Sequence, residues 1–196
     1  PIMKGHFATS NSHLNTYIDM STVKTRHNNA KETAKELANA YMTNATIDTI
    51  VCLDGTELIG AFMAEFLADT GIMSVNSGKN ISIITPDVNA YGQLVFMDST
   101  LRMIKHMQGL VLAASVTTGQ TITRAAEAVS YYGGTVRGVA AIFSNVEQTA
   151  EGMEIFSIFQ KEDLPDYQAY LPSECPMCRK KMPIDAIVNS FGYSKL

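Results

Sequence analysis

Residues Gly109 to Arg124 hold the pattern with the clearest chemistry. Leu110 to Val116 is a short apolar run with the composition of a buried strand. It passes abruptly into Thr117-Thr118-Gly119-Gln120-Thr121. A helical pattern follows, with Ile122, Ala125, Ala126 and Val129 on one face and Arg124 and Glu127 off it. A strand, a hydroxyl-rich turn with one glycine and a helix start make a cradle for a phosphate. The first amides of a helix lack intrahelical partners and carry partial positive charge. Thr117, Thr118 and Thr121 add hydroxyl donors, and Gly119 lets the backbone come close to an anion.

A second loop of this kind lies upstream. Ile47 to Leu53 reads as a strand, Asp54-Gly55-Thr56-Glu57 as a loop, and Leu58 to Ala68 as a helix. Two uses fit its carboxylates. Asp54 and Glu57 could coordinate magnesium or ribose hydroxyls, as catalytic candidates. The alternative needs no ligand: Asp54 caps the helix while Glu57 favours its dipole from the first turn, which accounts for both residues. Cys175-Pro-Met-Cys178 supplies two soft ligands at zinc-knuckle spacing. No second cysteine pair exists, and His6, His13, His27 and His106 are all remote in sequence. A reduced structural turn is therefore expected there; the alternative is a zinc site at Cys175 and Cys178 that draws its other ligands from a partner subunit. No thioredoxin-like pattern surrounds the pair to suggest redox work. Cys52, in an apolar run, reads as a buried, inert thiol.

These loops need a scaffold. Residues 1–45 read as a polar N-terminal arm and a helix from about Ser21 through Met42. Residues 46–150 read as the core, and 151–196 as an irregular tail containing the Cys-Pro-Met-Cys turn. Further strands are predicted at Ile72–Val75, Ile81–Thr85, Leu94–Met97, Thr135–Phe143 and Glu154–Phe159. Short helices are predicted at Ser99–Met107 and Ile184–Ser190. The expected class is α/β, a mainly parallel sheet flanked by helices. The two ligand loops should lie side by side at the carboxyl edge of the sheet.

The Thr117–Thr121 stretch resembles the phosphoribosyl-pyrophosphate loop of type I phosphoribosyltransferases. In that family the apolar strand is followed by two acidic residues, two apolar residues and Thr-Thr-Gly-x-Ser/Thr. The second half matches; Ala113 and Ala114 stand where the acids, which hold the ribose hydroxyls, would be. Within the family the chain is most similar to orotate phosphoribosyltransferases. Phe7 and Tyr17 keep the spacing of their N-terminal segment, with Ser10 where some relatives carry a lysine. Leu53–Gly60 matches their pyrophosphate loop, and Cys175-Pro-Met-Cys-Arg179 looks like the tail of some members. The resemblance implies a homodimer and magnesium-assisted phosphoribosyl transfer to a pyrimidine base. It also implies a mobile loop bearing Arg, Lys and His-Gly. The corresponding stretch, Thr85 to Gly92, has Asn89-Ala90-Tyr91-Gly92, and no Lys, Arg or His occurs from Asn80 to Leu101.

The chain has 196 residues, a formal charge of −4 and a pI near 5.5. That balance argues against a nucleic-acid or membrane-surface partner. No apolar run approaches the roughly 20 residues of a membrane span. With no signal-peptide core at the N-terminus, a cytoplasmic location is expected. The expected ligand is a small phosphorylated molecule. Transfer of a phosphoribosyl group and non-catalytic binding of a nucleotide or sugar phosphate both remain open.

Overall fold

Strands whose residues are apolar on both faces need helices on both sides, and the chain supplies them. The computed structural model describes residues 1–196. In chain order the elements are β1 (Ile2–Ala8), β2 (His13–Ile18), α1 (Ser21–Thr25), α2 (His27–Asn39), β3 (Thr49–Cys52) and α3 (Glu57–Ala68). Next come β4 (Ser82–Ile84), β5 (Asp87–Val88), β6 (Leu94–Val95), β7 (Gln108–Val116), α4 (Gln120–Tyr131), β8 (Thr135–Ser144) and β9 (Phe156–Gln160). The tail adds β10 (Ala169–Tyr170), α5 (Pro176–Arg179), β11 (Ala186–Asn189) and β12 (Gly192–Lys195).

The central sheet runs β4-β3-β7-β8-β9, and every neighbouring pair is parallel. Alternation along its strands sorts the side chains. Ile50, Cys52, Leu110, Leu112, Ala140 and Ile142 join the face covered by α2 and α3. Val51, Val111, Ala113, Val139 and Ala141 join the face covered by Ile122, Ala125 and Val129 of α4. This is the parallel α/β architecture expected from the sequence.

A second, outer sheet is ordered β10-β2-β1-β11-β12. The polar N-terminal arm is thus a β-hairpin, and the tail completes its sheet. The helix expected over Ile184–Ser190 is instead β11, where Ala186 and Val188 are buried while Ile187 and Asn189 face out. That period of two is the mark of a half-buried strand. Ile72–Val75 is likewise irregular, not a strand; Met73 is 89 % exposed and pairs with no strand. The long first helix is broken at Arg26, which takes an extended conformation between α1 and α2.

Candidate functional site

Neighbouring parallel strands place their following loops together. Leu53 N–H donates to Leu112 O at 2.8 Å, and Thr56 Oγ1 donates to Leu53 O at 2.8 Å and to Leu112 O at 3.2 Å. The buried Thr56 hydroxyl therefore fastens the upstream loop to β7. Asp54 and Gly55 turn with φ of 59° and 73°. At the end of β7, Gly119 takes φ 80° and starts α4 from a left-handed conformation that glycine adopts without cost. No side chain caps this helix, and its first turn carries no acid. The amides of Thr118, Gly119, Gln120, Thr121 and Ile122 find no acceptor within the protein. Asn145 Nδ2 donates to Thr117 O at 3.2 Å and steadies the turn from behind.

These groups open into a cleft of about 570 Å³ between the central and outer sheets. Thr117 through Thr121 line it, together with Ala113, Ala114 and Asp54. Gly55, Thr56 and Glu57 do not. Glu57 points aside and accepts a hydrogen bond from Thr85 Oγ1 at 2.9 Å. Of the two candidate carboxylates, only Asp54 reaches the cleft. Burial pushes its carboxyl above the usual carboxylate range, against the pull of Lys24 and a hydrogen bond from Ala114 N–H.

Lys24 is the cation that the sequence reading missed. It sits in a run of basic and polar residues that suggests a solvated helix face, yet only 9 % of it is exposed. Its Nζ donates to Asp54 O at 2.7 Å and to Ser190 O, joining the upstream loop to the end of β11. Burial lowers its pKa, while Asp54, Glu57 and Asp19 hold it up. Asp19 also lines the cleft; hydrogen bonds from the Ser21 hydroxyl and amide, at 2.5 and 2.9 Å, keep its carboxyl below the usual range. On the outer-sheet wall Thr16 Oγ1 is buried in the cleft lining without a partner. Phe7 and Tyr17 pack ring against ring at 5.9 Å as part of that sheet's core.

The stretch from Thr85 to Gly92 supplies β5 and the turn of the exposed β5–β6 hairpin, closed by Asn89 Oδ1 accepting from Tyr91 N–H and Gln93 N–H. No basic side chain from this hairpin reaches the cleft.

The fold gives the cysteine pair two further donors that are remote in sequence. Cys175 and Cys178 meet His6 of β1 and His13 of β2, and the four donor atoms all lie within 4.8 Å of one another. This two-histidine, two-cysteine set could hold a metal such as zinc. Cys52, by contrast, is fully buried, and burial pushes its thiol up to about 12, as an inert core residue requires.

No protein-family model matches the chain. Orotate phosphoribosyltransferase of Chlorobaculum parvum is 24 % identical over 187 residues, covering 94 % of this chain and 88 % of the relative. The structure of Mycobacterium tuberculosis orotate phosphoribosyltransferase in complex with 5-phospho-α-D-ribosyl 1-diphosphate superposes with a TM-score of 0.53 at 19 % identity, covering 76 % of this chain and 82 % of that one. The chain has the type I phosphoribosyltransferase fold and is a distant, near full-length relative of the orotate phosphoribosyltransferases. Leishmania donovani UMP synthase contains the same fold, with a TM-score of 0.60 and 17 % identity over 84 % of this chain. This chain spans only 34 % of that longer protein. Within the phosphoribosyltransferase fold, the Thr117–Thr121 turn occupies the carboxyl edge of the parallel sheet. No helix is long and apolar enough to cross a membrane.

Proposed function

We propose that the cleft binds a ribose 5-phosphate group, either free or within a nucleotide or phosphoribosyl pyrophosphate. The 5′-phosphate sits on Thr117–Thr121. The observation that carries this reading is the run of unpartnered amides from Thr118 to Ile122, opening into the cleft that also holds Lys24. Such donors, at a helix start without an acidic residue, favour an anion. The unpartnered hydroxyl of Thr16 across the cleft adds a donor for the rest of the ligand.

Transfer of the group to orotate is a weaker fit. Ala113 and Ala114 offer no carboxylate to the ribose, and the β5–β6 hairpin brings no cation to a departing pyrophosphate. The cleft carboxylates fit magnesium poorly: Asp54 is compensated by Lys24, and Asp19 is bound by Ser21. A catalytic reading rests instead on Lys24 and Asp54, which lie together in the cleft.

Calorimetry with ribose 5-phosphate and with uridine monophosphate tests the binding. Thr118→Val combined with Thr121→Val should weaken it by about 1–3 kcal/mol, the cost of lost hydrogen bonds to a charged group. Unchanged affinity would remove the phosphate assignment. A steady-state assay with orotate, phosphoribosyl pyrophosphate and magnesium should show turnover far below the ~10 per second of a typical enzyme. Turnover at that level would favour the catalytic reading.

A further inference from the structure

We propose that His6, His13, Cys175 and Cys178 bind one zinc ion that fastens the tail to the N-terminal hairpin. The cluster lies outside the phosphate turn, and none of its four residues lines the cleft. His6 Nε2 stands 3.0 Å from His13 Nδ1 and 3.6 Å from each of the Cys175 and Cys178 sulfurs. Cys178 Sγ is 3.2 Å from His13 Nδ1. Bond lengths of about 2.05 Å to nitrogen and 2.3 Å to sulfur place the corners of a tetrahedral zinc site ~3.3 Å apart for N···N and ~3.6 Å for N···S. These four separations fall close to those edges, and all the donor pairs lie within 4.8 Å.

The surroundings of His6 strengthen the assignment. Its ring is 1 % exposed, and Nδ1 lies 3.1 Å from both Met182 O and Pro183 O. Two carbonyls can only accept, so Nδ1 carries the hydrogen and Nε2 turns its lone pair towards the other three donors. Zinc-binding histidines are oriented by this kind of outer hydrogen bond. Cys175 is also fully buried, while Cys178 reaches the surface and gives an ion a way in. Pro176 opens the short turn between the cysteines, and Arg179 N–H closes it on Cys175 O at 3.1 Å.

The fold gives such an ion work to do. The tail is joined to the hairpin by short ladders: β1 meets β11 at Phe7–Ala186 and Ala8–Ile187, and β10 meets β2 at Ala169–Leu14 and Tyr170–His13. The ligands come from both chain ends, and His6 and Cys175 are 169 positions apart. A metal bond across that interval restrains segments that the backbone holds weakly.

The test is metal analysis of the full chain purified without chelator, with cobalt(II) substitution after zinc removal. Wild-type protein should hold about one zinc per chain, and its cobalt form should show the intense visible absorption of tetrahedral thiolate coordination. Cys178→Ser and His13→Ala should each lose the zinc, by more than the roughly 10–100-fold in affinity that removal of an outer-shell partner costs. His27→Ala, remote from the cluster, should retain it. If either ligand variant fails to fold, the wild-type cobalt spectrum and the fall in melting temperature on chelation still decide. Wild-type protein that holds no zinc and gives no such cobalt spectrum overturns the proposal. So does zinc retained at wild-type affinity by a folded Cys178→Ser protein.

Discussion

Replacing Lys24 with methionine removes the ammonium that bridges the two walls of the cleft while keeping much of the apolar stem. Two carbonyls, Asp54 O and Ser190 O, lose their donor. Asp54 and Asp19 lose the cation that compensates them. Hydrogen bonds from a charged donor contribute about 1.5–3 kcal/mol each, and stranding the partner of a buried charge costs about 3–5 kcal/mol. Sparing the desolvation of the ammonium offsets part of this, so Lys24→Met should cost roughly 2–4 kcal/mol at neutral pH. With no tryptophan in the chain, far-ultraviolet circular dichroism is the appropriate probe. At a typical urea dependence, the unfolding midpoint should fall by about 1–2 M.

The variant also has a pH signature. Asp54 has a raised pKa in the folded state, so over that window the native protein binds more protons than the unfolded chain. Stability therefore falls as pH rises from the unfolded value near ~3.9 through the folded one. Without Lys24 the folded pKa of Asp54 rises further, and the decline should extend to higher pH. Adding Asp54→Asn should abolish that extra slope and recover part of the lost stability. A midpoint shift below about 0.3 M, with an unaltered pH profile, would refute the bridging role of Lys24.

Other consequences are sharper in place than in size. A methyl group on Gly138 would overlap the Tyr41 ring, whose hydroxyl donates to Val139 O at 2.7 Å, so Gly138→Ala should cost about 1–3 kcal/mol in equilibrium unfolding. Burial, the largest influence on Asp48, pushes its carboxyl up. The Lys79 ion pair at 2.6 Å and Gln108 N–H at 3.0 Å outweigh burial and hold the carboxyl below the usual range. Its stabilisation is present above about pH 4 and is lost as pH falls through the folded value. Asp48→Asn should accordingly cost about 1–3 kcal/mol at pH 7 and flatten the acid limb of the stability curve. An unchanged acid limb would assign that limb to other groups.

The sequence by itself determined those features whose causes are local. An apolar run, a hydroxyl-rich turn with one glycine and an amphipathic segment specify strand, loop and helix through β7 and α4, because period and turn chemistry act over a few residues. The same reasoning found β3 and α3 with the Asp54–Glu57 loop between them. It failed at Ala186–Asn189, where a short alternating strand reads equally as a helix turn until β1 and β12 are there to pair with it. It could not direct side chains into a shared space. Asp54 reaches the cleft and Glu57 does not because the turn at Asp54 and Gly55 aims them apart. Lys24 is buried because β11, more than a hundred and fifty residues later, closes over it. His6 and His13 meet Cys175 and Cys178 only because the outer sheet pairs both ends of the chain, a contact that no local periodicity encodes.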